Sequence, residues 1–384
     1  MQPLTIGVNA LYLLPGGVGG TEIYLRGLLA GLAEIDPVNR YVIFTNRETG
    51  PELAPARPNF RVAQQAVRAQ SRPRRILWEQ SVLALEAARR GLDVMWNPGF
   101  TAPLFAPCPQ VTMFHDMQHK RHPENFRWFD LPVWQFFLFW SAHVSRLLLA
   151  PSQATAGDLT RYYRLPEGKV RVAQHGVDSA FFGIAGRRQP ERFLLAVSTL
   201  HPHKNLDALL RAFAVFRQRH ADFRLVVSGL HGFSAGYLHN LREALGLGGA
   251  VDFPGWIPRE ELYGLFSRAW AFVYPSLFEG FGLPVLEALA AGVPTACSAI
   301  DPLNSIAGEA ALRFDPRDQE SLLAAMYRIT EDDELRRTLA VAGPARAAHF
   351  SWRFTAQTTL EAPGALICEN CLRVCASMIE ERST

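Results

Sequence analysis

Glu279 and Glu287 stand with seven residues between them in PSLFEGFGLPVLEALAAGVP, Pro275 to Pro294. Glu279 opens a glycine-rich turn, Glu279-Gly280-Phe281-Gly282-Leu283-Pro284, and Glu287 falls in the Ala/Leu-rich helix predicted after it. The apolar run Trp270 to Tyr274 before the turn reads as a buried strand. Glycines let backbone N–H groups approach a ligand, and a new helix N-terminus favours phosphate. A carboxylate beside such a turn repels a bare anion but accepts hydrogen bonds from sugar hydroxyls. Phosphate and sugar hydroxyls in one ligand describe a nucleotide-sugar. The plain alternative is a strand-to-helix connection with solvated glutamates, Glu279 merely favouring the helix dipole.

Three other segments carry residues capable of chemistry. PGGVGGT, Pro15 to Thr21, joins a strand to a helix and offers Gly16, Gly17 and Gly19. Its spacing is not G-x-G-x-x-G. The second strand ends in Thr45-Asn46-Arg47, without the acid that holds an NAD ribose, so a dinucleotide enzyme is disfavoured. His115-Asp116-Met117-Gln118-His119 approaches the H-E-x-x-H zinc motif with Asp for Glu. That motif needs a helix to put both histidines on one face. Here the β-type run VTMF leads straight into His115 and Pro123 follows soon after, which disfavours a zinc hydrolase. Cys368, Cys371 and Cys375 form C-x2-C-x3-C, but no nearby histidine or second cysteine pair completes a metal set. No metal site is expected, and the five cysteines read as free thiols.

The elements that must position these residues alternate. Strands are predicted at Thr5–Asn9, Tyr41–Thr45, Asp93–Trp96, Gln110–Phe114 and Leu147–Ala150, with helices between them. After the polar stretch GIAGRRQPER the pattern restarts, with strands at Phe193–Val197, Phe223–Gly229, Val251–Phe253 and Trp270–Tyr274. Such alternation implies parallel sheets covered by helices. The fold class is α/β, with two doubly wound halves: an N-terminal domain over 1–182, a second domain over 192–350, and a tail over 351–384. Ligands bind off the carboxyl ends of such strands, where all these motifs fall.

Composition sets the remaining bounds. A chain of 384 residues, 48% hydrophobic and 20% charged, is an ordinary globular protein of two domains. A net charge of +3 does not indicate a nucleic-acid partner. No N-terminal signal or roughly 18-residue apolar span is evident, so a cytoplasmic location is expected. Residues 1–180 carry 19 basic against 14 acidic residues, a modest surplus suited to an anionic acceptor or membrane surface. Asn125 to Trp140 is dense in Phe and Trp. The usual expectation is that such a run packs into its own domain; a membrane-dipping or partner surface is the alternative.

EGFGLP, LEA and AGVP together resemble the E-x7-E region of retaining glycosyltransferases with the GT-B fold, family 4 or group 1, and the resemblance extends over about residues 4 to 360. It implies two Rossmann-like domains facing a central cleft that closes around the donor. Glu279 then faces the donor sugar, Glu287 holds the ribose hydroxyls, and the backbone of Phe281, Gly282 and Leu283 lines the donor. VSTLHPHKNL resembles the phosphate-binding segment, with Lys204 kept and His203 where arginine is common. PGGVGGT resembles the loop lying against the donor diphosphate and the acceptor. HD-x-QH-xx-HPE-xF resembles mannosyltransferase-like members, with His115 bonding the donor sugar and Asp116 orienting it. His119 and His122 are then structural or near the acceptor. QHGVD resembles the interdomain N-G-V-D segment with His175 for Asn, and Asn304-Ser305 stands where Pro-Glu is usual.

The function implied is metal-independent, retaining transfer of a sugar, mannose by the His115 segment, from a GDP- or UDP-linked donor. The acceptor is a glycan or lipid-linked glycan in polysaccharide biosynthesis, and no cofactor beyond the donor is implied. His115, Glu279 and Lys204 form the catalytic set. Peripheral contact at the inner membrane face fits such an acceptor. The rival readings are a nucleotide-sugar epimerase or hydrolase on the same fold, and a sugar-nucleotide binding protein without turnover. The family's tail is a helix returning to the first domain, which Pro363-Gly364 should interrupt.

Overall fold

The computed structural model describes residues 3–361. The Cys368, Cys371 and Cys375 run and Pro363-Gly364 lie outside the described residues. The chain divides into two units. One runs through Gly176 and resumes at Ser351, and the other is Val177–Phe350. The division falls before the polar stretch 183–192, so residues 177–182, assigned above to the first domain, belong with the second. The reason is packing: Phe181 of the helix Ser179–Ala185 meets the rings of Tyr263 and Phe266.

The first unit contains strands β1 (Thr5–Asn9), β2 (Arg40–Thr45), β3 (Phe60–Gln64), β4 (Val94–Asn97), β5 (Gln110–Met113), β6 (Leu147–Ala150) and β7 (Val170–Val172). Their order is β3-β2-β1-β4-β5-β6-β7, all parallel. β4, β5 and β6 are buried along their whole length, as strands covered on both faces are. The helix Gly20–Ile35 seats Leu25, Leu28, Leu29 and Leu32 against Ile6, Val8 and Ile43. Each such leucine contributes roughly 1.5–3 kcal/mol by burial.

The helix Trp352–Leu360 packs on Gly20–Ile35, where glycines make room for it. A Cβ at Gly27 would stand 2.2 Å from the Trp352 ring, and one at Gly31 would stand 2.3 Å from the Trp352 carbonyl oxygen.

The second unit contains β8 (Phe193–Val197), β9 (Arg224–Ser228), β10 (Val251–Gly255), β11 (Ala271–Tyr274), β12 (Thr295–Ser298) and β13 (Leu312–Phe314). Their order is β10-β9-β8-β11-β12-β13, again all parallel. Leu209, Leu210, Phe213 and Phe216 of the helix Leu206–Arg219 cover Leu194, Ala196, Leu225 and Val227. Both sheets reverse direction of growth beside their first strand, at β1/β4 and at β8/β11. Ligands of doubly wound sheets bind at this switch point, off the carboxyl ends of the strands.

The aromatic run 125–140 departs from the usual expectation. Leu138, Ser141 and Ala142 of the helix Leu131–Val144 are buried, while Trp128, Phe129, Phe136 and Trp140 stay exposed. No helix among the described residues is long and apolar enough to cross a membrane.

Candidate active site

The switch point of the second sheet brings the two predicted donor segments side by side. The residues after β8 and those after β11 are joined where Leu277 N donates to His203 O (2.8 Å) and Ser276 Oγ donates to the same oxygen (3.2 Å). Lys204 Nζ thereby reaches Glu279 Oε1 at 2.6 Å and the Tyr274 hydroxyl at 3.3 Å. Both charged side chains are mostly buried. Burial pushes the Tyr274 hydroxyl far up, with Glu279 and then Glu287 adding to the effect. Tyr274 thus lies within the field of both glutamates.

The turn geometry follows from its glycine. Gly282 has φ +115°, a conformation that side chains rarely adopt, and it caps the helix Leu283–Ala290. The helix begins on Leu283-Pro284, where a missing N–H costs nothing, and its first turn carries no acid. Pro284 has no N–H, and Val285 N and Leu286 N donate to Gly282 O, so the helix offers an anion chiefly the positive end of its dipole. His203 is buried, its ring 5.8 Å from that of His201.

Glu287 is buried at 3% exposure. Burial pushes its carboxyl up, and Arg259 opposes that shift. Arg259 Nη1 donates to Glu287 Oε1 (3.1 Å), Nη2 to Asp178 Oδ2 (3.2 Å), and Nε to the Tyr263 hydroxyl (3.2 Å). Tyr263 in turn donates to Asp178 Oδ2 at 2.5 Å, and Asp178 caps the helix Ser179–Ala185. Burial favours a neutral Asp178, but the hydrogen bonds from Tyr263 and Ala180 N, and Arg259 beside it, hold its carboxyl below the ordinary range. Arg259 therefore couples the buried Glu287 to the first residues of the unit.

The remaining predicted residues lie in the first unit. The glycine loop folds onto its own helix: Gly16 N donates to Glu22 Oε2 (2.8 Å), and Glu22 Oε1 accepts from Arg26 Nε (2.9 Å). Gly16 and Gly19 have φ of 70° and 56°. Gly17 N donates to Leu14 O.

His115 follows β5 and is buried. Its Nε2 is 2.7 Å from Pro98 O and so carries the proton, while Nδ1 is 3.4 Å from His175 Nε2. Burial pushes the His115 ring down to about 4, the Pro98 carbonyl opposing. Burial, with His115 adding to it, also pushes His175 well below its ordinary value. The two rings form a neutral pair. His119 turns elsewhere, its Nε2 2.7 Å from the Tyr163 hydroxyl. The HD-x-x-H segment therefore does not present two histidines to one point. Among the described residues no group of three or more His, Cys, Asp or Glu is placed to hold a metal ion.

Several functional neighbours were not anticipated from sequence. Tyr274 and Arg259 partner the two glutamates, and Asp178 carries the far end of the Arg259 fork. Asp178 stood in the QHGVD segment, and that is the only signal among the three. The first sheet's switch point holds another surprise. Asn9 Nδ2 at the end of β1 donates to Asn97 Oδ1 at the end of β4 and to Glu79 Oε2, both at 3.2 Å. Thr101 Oγ1 also donates to Glu79 Oε2 (3.0 Å), and Gln80 Nε2 donates to Oε1 (3.4 Å). Burial pushes the Glu79 carboxyl up, with Arg75 opposing.

Two parallel doubly wound sheets and a carboxylate–lysine cluster at the second switch point define a class, and comparison with known proteins gives the family. The description "Glycosyl transferases group 1" matches residues 178–346, and "Glycosyltransferase Family 4" matches residues 18–181. Together they span most of the chain, which belongs to the family 4, group 1 glycosyltransferases and has the GT-B fold.

Among curated relatives, the O-antigen chain mannosyltransferase B of Escherichia coli is 29% identical over 267 residues, 66% of this chain and 69% of that protein. The MMP alpha-(1->4)-mannosyltransferase of Mycolicibacterium hassiacum is 30% identical, over 65% of this chain and 63% of that protein. The matched region spans only about a third of the longer E. coli mannosyltransferase WbdA. Among solved structures, the sucrose-phosphate synthase of Thermosynechococcus elongatus superposes with a TM-score of 0.74 at 20% identity, over 93% of this chain and 98% of that one. Anabaena HepE, solved with UDP and glucose, gives 0.73 at 19% identity, over 94% and 100%.

Proposed function

We propose that this glycosyltransferase moves mannose from a nucleotide-diphosphate sugar to a glycan or lipid-linked acceptor, with retention and without a metal ion. The cluster of Lys204, Glu279 and Tyr274 beside the Gly282-capped helix carries the reading. The ammonium of Lys204 is a compact charge for the donor diphosphate. The helix start after Gly282 adds dipole, with Phe281, Gly282 and Leu283 supplying backbone to the donor. His203 joins this side next to Lys204. As phosphate takes over Lys204, Glu279 is released to accept from donor-sugar hydroxyls. Glu287 keeps Oε1 on Arg259 and offers Oε2 to the ribose. The resemblance assigns His115 to the donor sugar and Gly16, Gly17 and Gly19 to the phosphate and acceptor side, and all four belong to the first unit.

Electrostatic stabilisation of the departing diphosphate is the main catalytic contribution. Glu79, the buried carboxylate at the first sheet's switch point, is engaged on both oxygens and makes a poor nucleophile. Same-face displacement, in which a leaving-group oxygen helps take the acceptor proton, fits that arrangement. The mannosyltransferase relatives support the sugar, and HepE, solved with UDP, supports a nucleotide-diphosphate donor. They favour transfer over the epimerase, hydrolase and non-catalytic readings.

The test is thermal shift with GDP-mannose, UDP-glucose and UDP-GlcNAc in EDTA, followed by transfer assays and the anomeric proton coupling of the product. Saturation at about a hundred times Kd stabilises by ~2.7 kcal/mol. The expected result is a shift with GDP-mannose that survives EDTA, and a product with the donor's anomeric configuration. An inverted product, or a shift requiring a divalent ion, would overturn the mechanism.

A further inference from the structure

One face of the first unit is neither core nor part of the site described above. The helix Leu131–Val144 buries Leu138, Ser141 and Ala142 and turns Phe136 and Trp140 outward. Val133, 55% exposed, precedes them by three and seven positions on the same helix, a spacing that keeps all three on one helical face, and Phe129 stands in the turn before it. Trp128, beside Phe129, is 84% exposed, and Phe105 is 85% exposed. The neighbouring helix Arg72–Trp78 adds Leu77, 69% exposed. These segments are stitched together. Gln80 Nε2 donates to Ala102 O (3.1 Å), Leu104 N donates to Gln80 Oε1 (2.8 Å), and Ala102 N donates to Ser141 Oγ (2.9 Å). The Arg72 guanidinium lies 4.0 Å from the centre of the Trp134 ring. Large apolar side chains are thus exposed together over three adjoining segments, which a soluble surface does not do without a partner.

The charges around this face are mostly basic, with the exposed acids Glu124 and Asp130 among them and Asp130 acting on Arg72. Residues 53–78 contain six arginines and no acid, and Asp130 is the single acid of residues 125–147. Arg74 and Arg127 are exposed. Tryptophan and phenylalanine tips amid arginines match the boundary between headgroups and acyl chains. The 14-residue helix is about 21 Å long, too short to span, and its buried inner face fixes it flat on the unit.

We propose that this face docks on an anionic phospholipid surface. The aromatic tips enter the acyl boundary, and Arg72, Arg74 and Arg127 meet lipid phosphates. The inference rests on exposed surface and charge alone and is independent of the sugar-transfer reading.

The test is flotation of the full chain, without donor or acceptor, on phosphatidylcholine vesicles and on vesicles that also carry phosphatidylglycerol. The wild type is expected to float with the anionic vesicles and to be released by salt. Trp128→Ser/Phe136→Ser/Trp140→Ser should bind at least about tenfold more weakly. Arg74→Glu/Arg127→Glu should lose roughly fivefold per arginine. Circular dichroism and melting confirm that each variant is folded. Failure of the wild type to float, or wild-type binding by both variants, overturns the proposal. A wild-type dimer that the aromatic substitutions convert to a monomer assigns the face to a second copy and equally overturns it.

Discussion

The two sheets share one strand order around their first strand, yet their switch points are built oppositely. In the second unit the strand ends converge on charges: Lys204 on Glu279, and Arg259 on Glu287 and Asp178. In the first unit they converge on a sealed, mostly neutral network. Asn9, Asn97, Thr101 and Gln80 surround a buried Glu79, and His115 and His175 share a neutral contact. The fold supplies a crevice in either case, but the chemistry depends on the side chains placed there. A lysine held in an ion pair is a cation that a diphosphate can engage. A saturated network of neutral groups fixes the backbone on which recognition residues stand.

Substitutions at four positions sharpen or break this contrast. The largest effect is expected at Lys204. On the proposed reading, Lys204→Ala removes the cation of the diphosphate site and should lower kcat/KM roughly a thousandfold, while Asn9→Ala should affect stability more than turnover. Steady-state kinetics and melting on both variants check this, and comparable kinetic losses would erase the distinction between the two switch points.

The next effect is on pH dependence. His115 and His119 are held near pKa 4 in the folded chain by burial, against an ordinary value of 6.5. Between those values the unfolded chain binds more protons than the folded one. Stability is therefore complete above about pH 6.5 and is lost as pH falls toward 4. By pH 5 the cost at His115 is on the order of 2 kcal/mol. Urea midpoints should fall between pH 7 and pH 5, and by less in His115→Asn. An equal fall in that variant would show that burial of the neutral ring is not the cause.

The smallest effect is expected at Arg259, which holds one oxygen of Glu287. Arg259→Ala should weaken donor binding roughly tenfold. Arg259→Lys should recover part of that loss, and kcat should change less than KM. A kcat-dominated loss would move Arg259 from positioning to the reaction itself.

Much of this was legible in the sequence because it is local. Apolar runs such as Leu147–Ala150 and Phe193–Val197 announce central parallel strands. The EGFGLP turn announces its own glycine conformation. β3, Phe60–Gln64, was missed because it is an edge strand in which only Phe60 and Ala63 are buried. β12, Thr295–Ser298, was missed because TACS carries no large apolar residue despite complete burial. The boundary at Gly176 was obscured because the polar stretch 183–192 looks more like a linker than QHGVD does.

In the site, Lys204 and Glu279 could be named singly, but their pairing joins residues 75 apart. The Arg259 fork spans 81 residues to Asp178 and 28 to Glu287. Contacts between distant segments are set by sheet order, which periodicity does not reveal. The exposure of Trp128 and Trp140 was hidden for the same reason, because aromatic density is equally compatible with a core.

The most direct measurement is hydrogen exchange of the full chain with and without saturating GDP, and separately UDP. Protection by one nucleotide over residues 198–205 and 275–290 is the expected result, abolished in Lys204→Ala. Protection confined to residues 9–22, or protection unchanged by Lys204→Ala, would contradict the assignment of the diphosphate to the charged switch point of the second sheet.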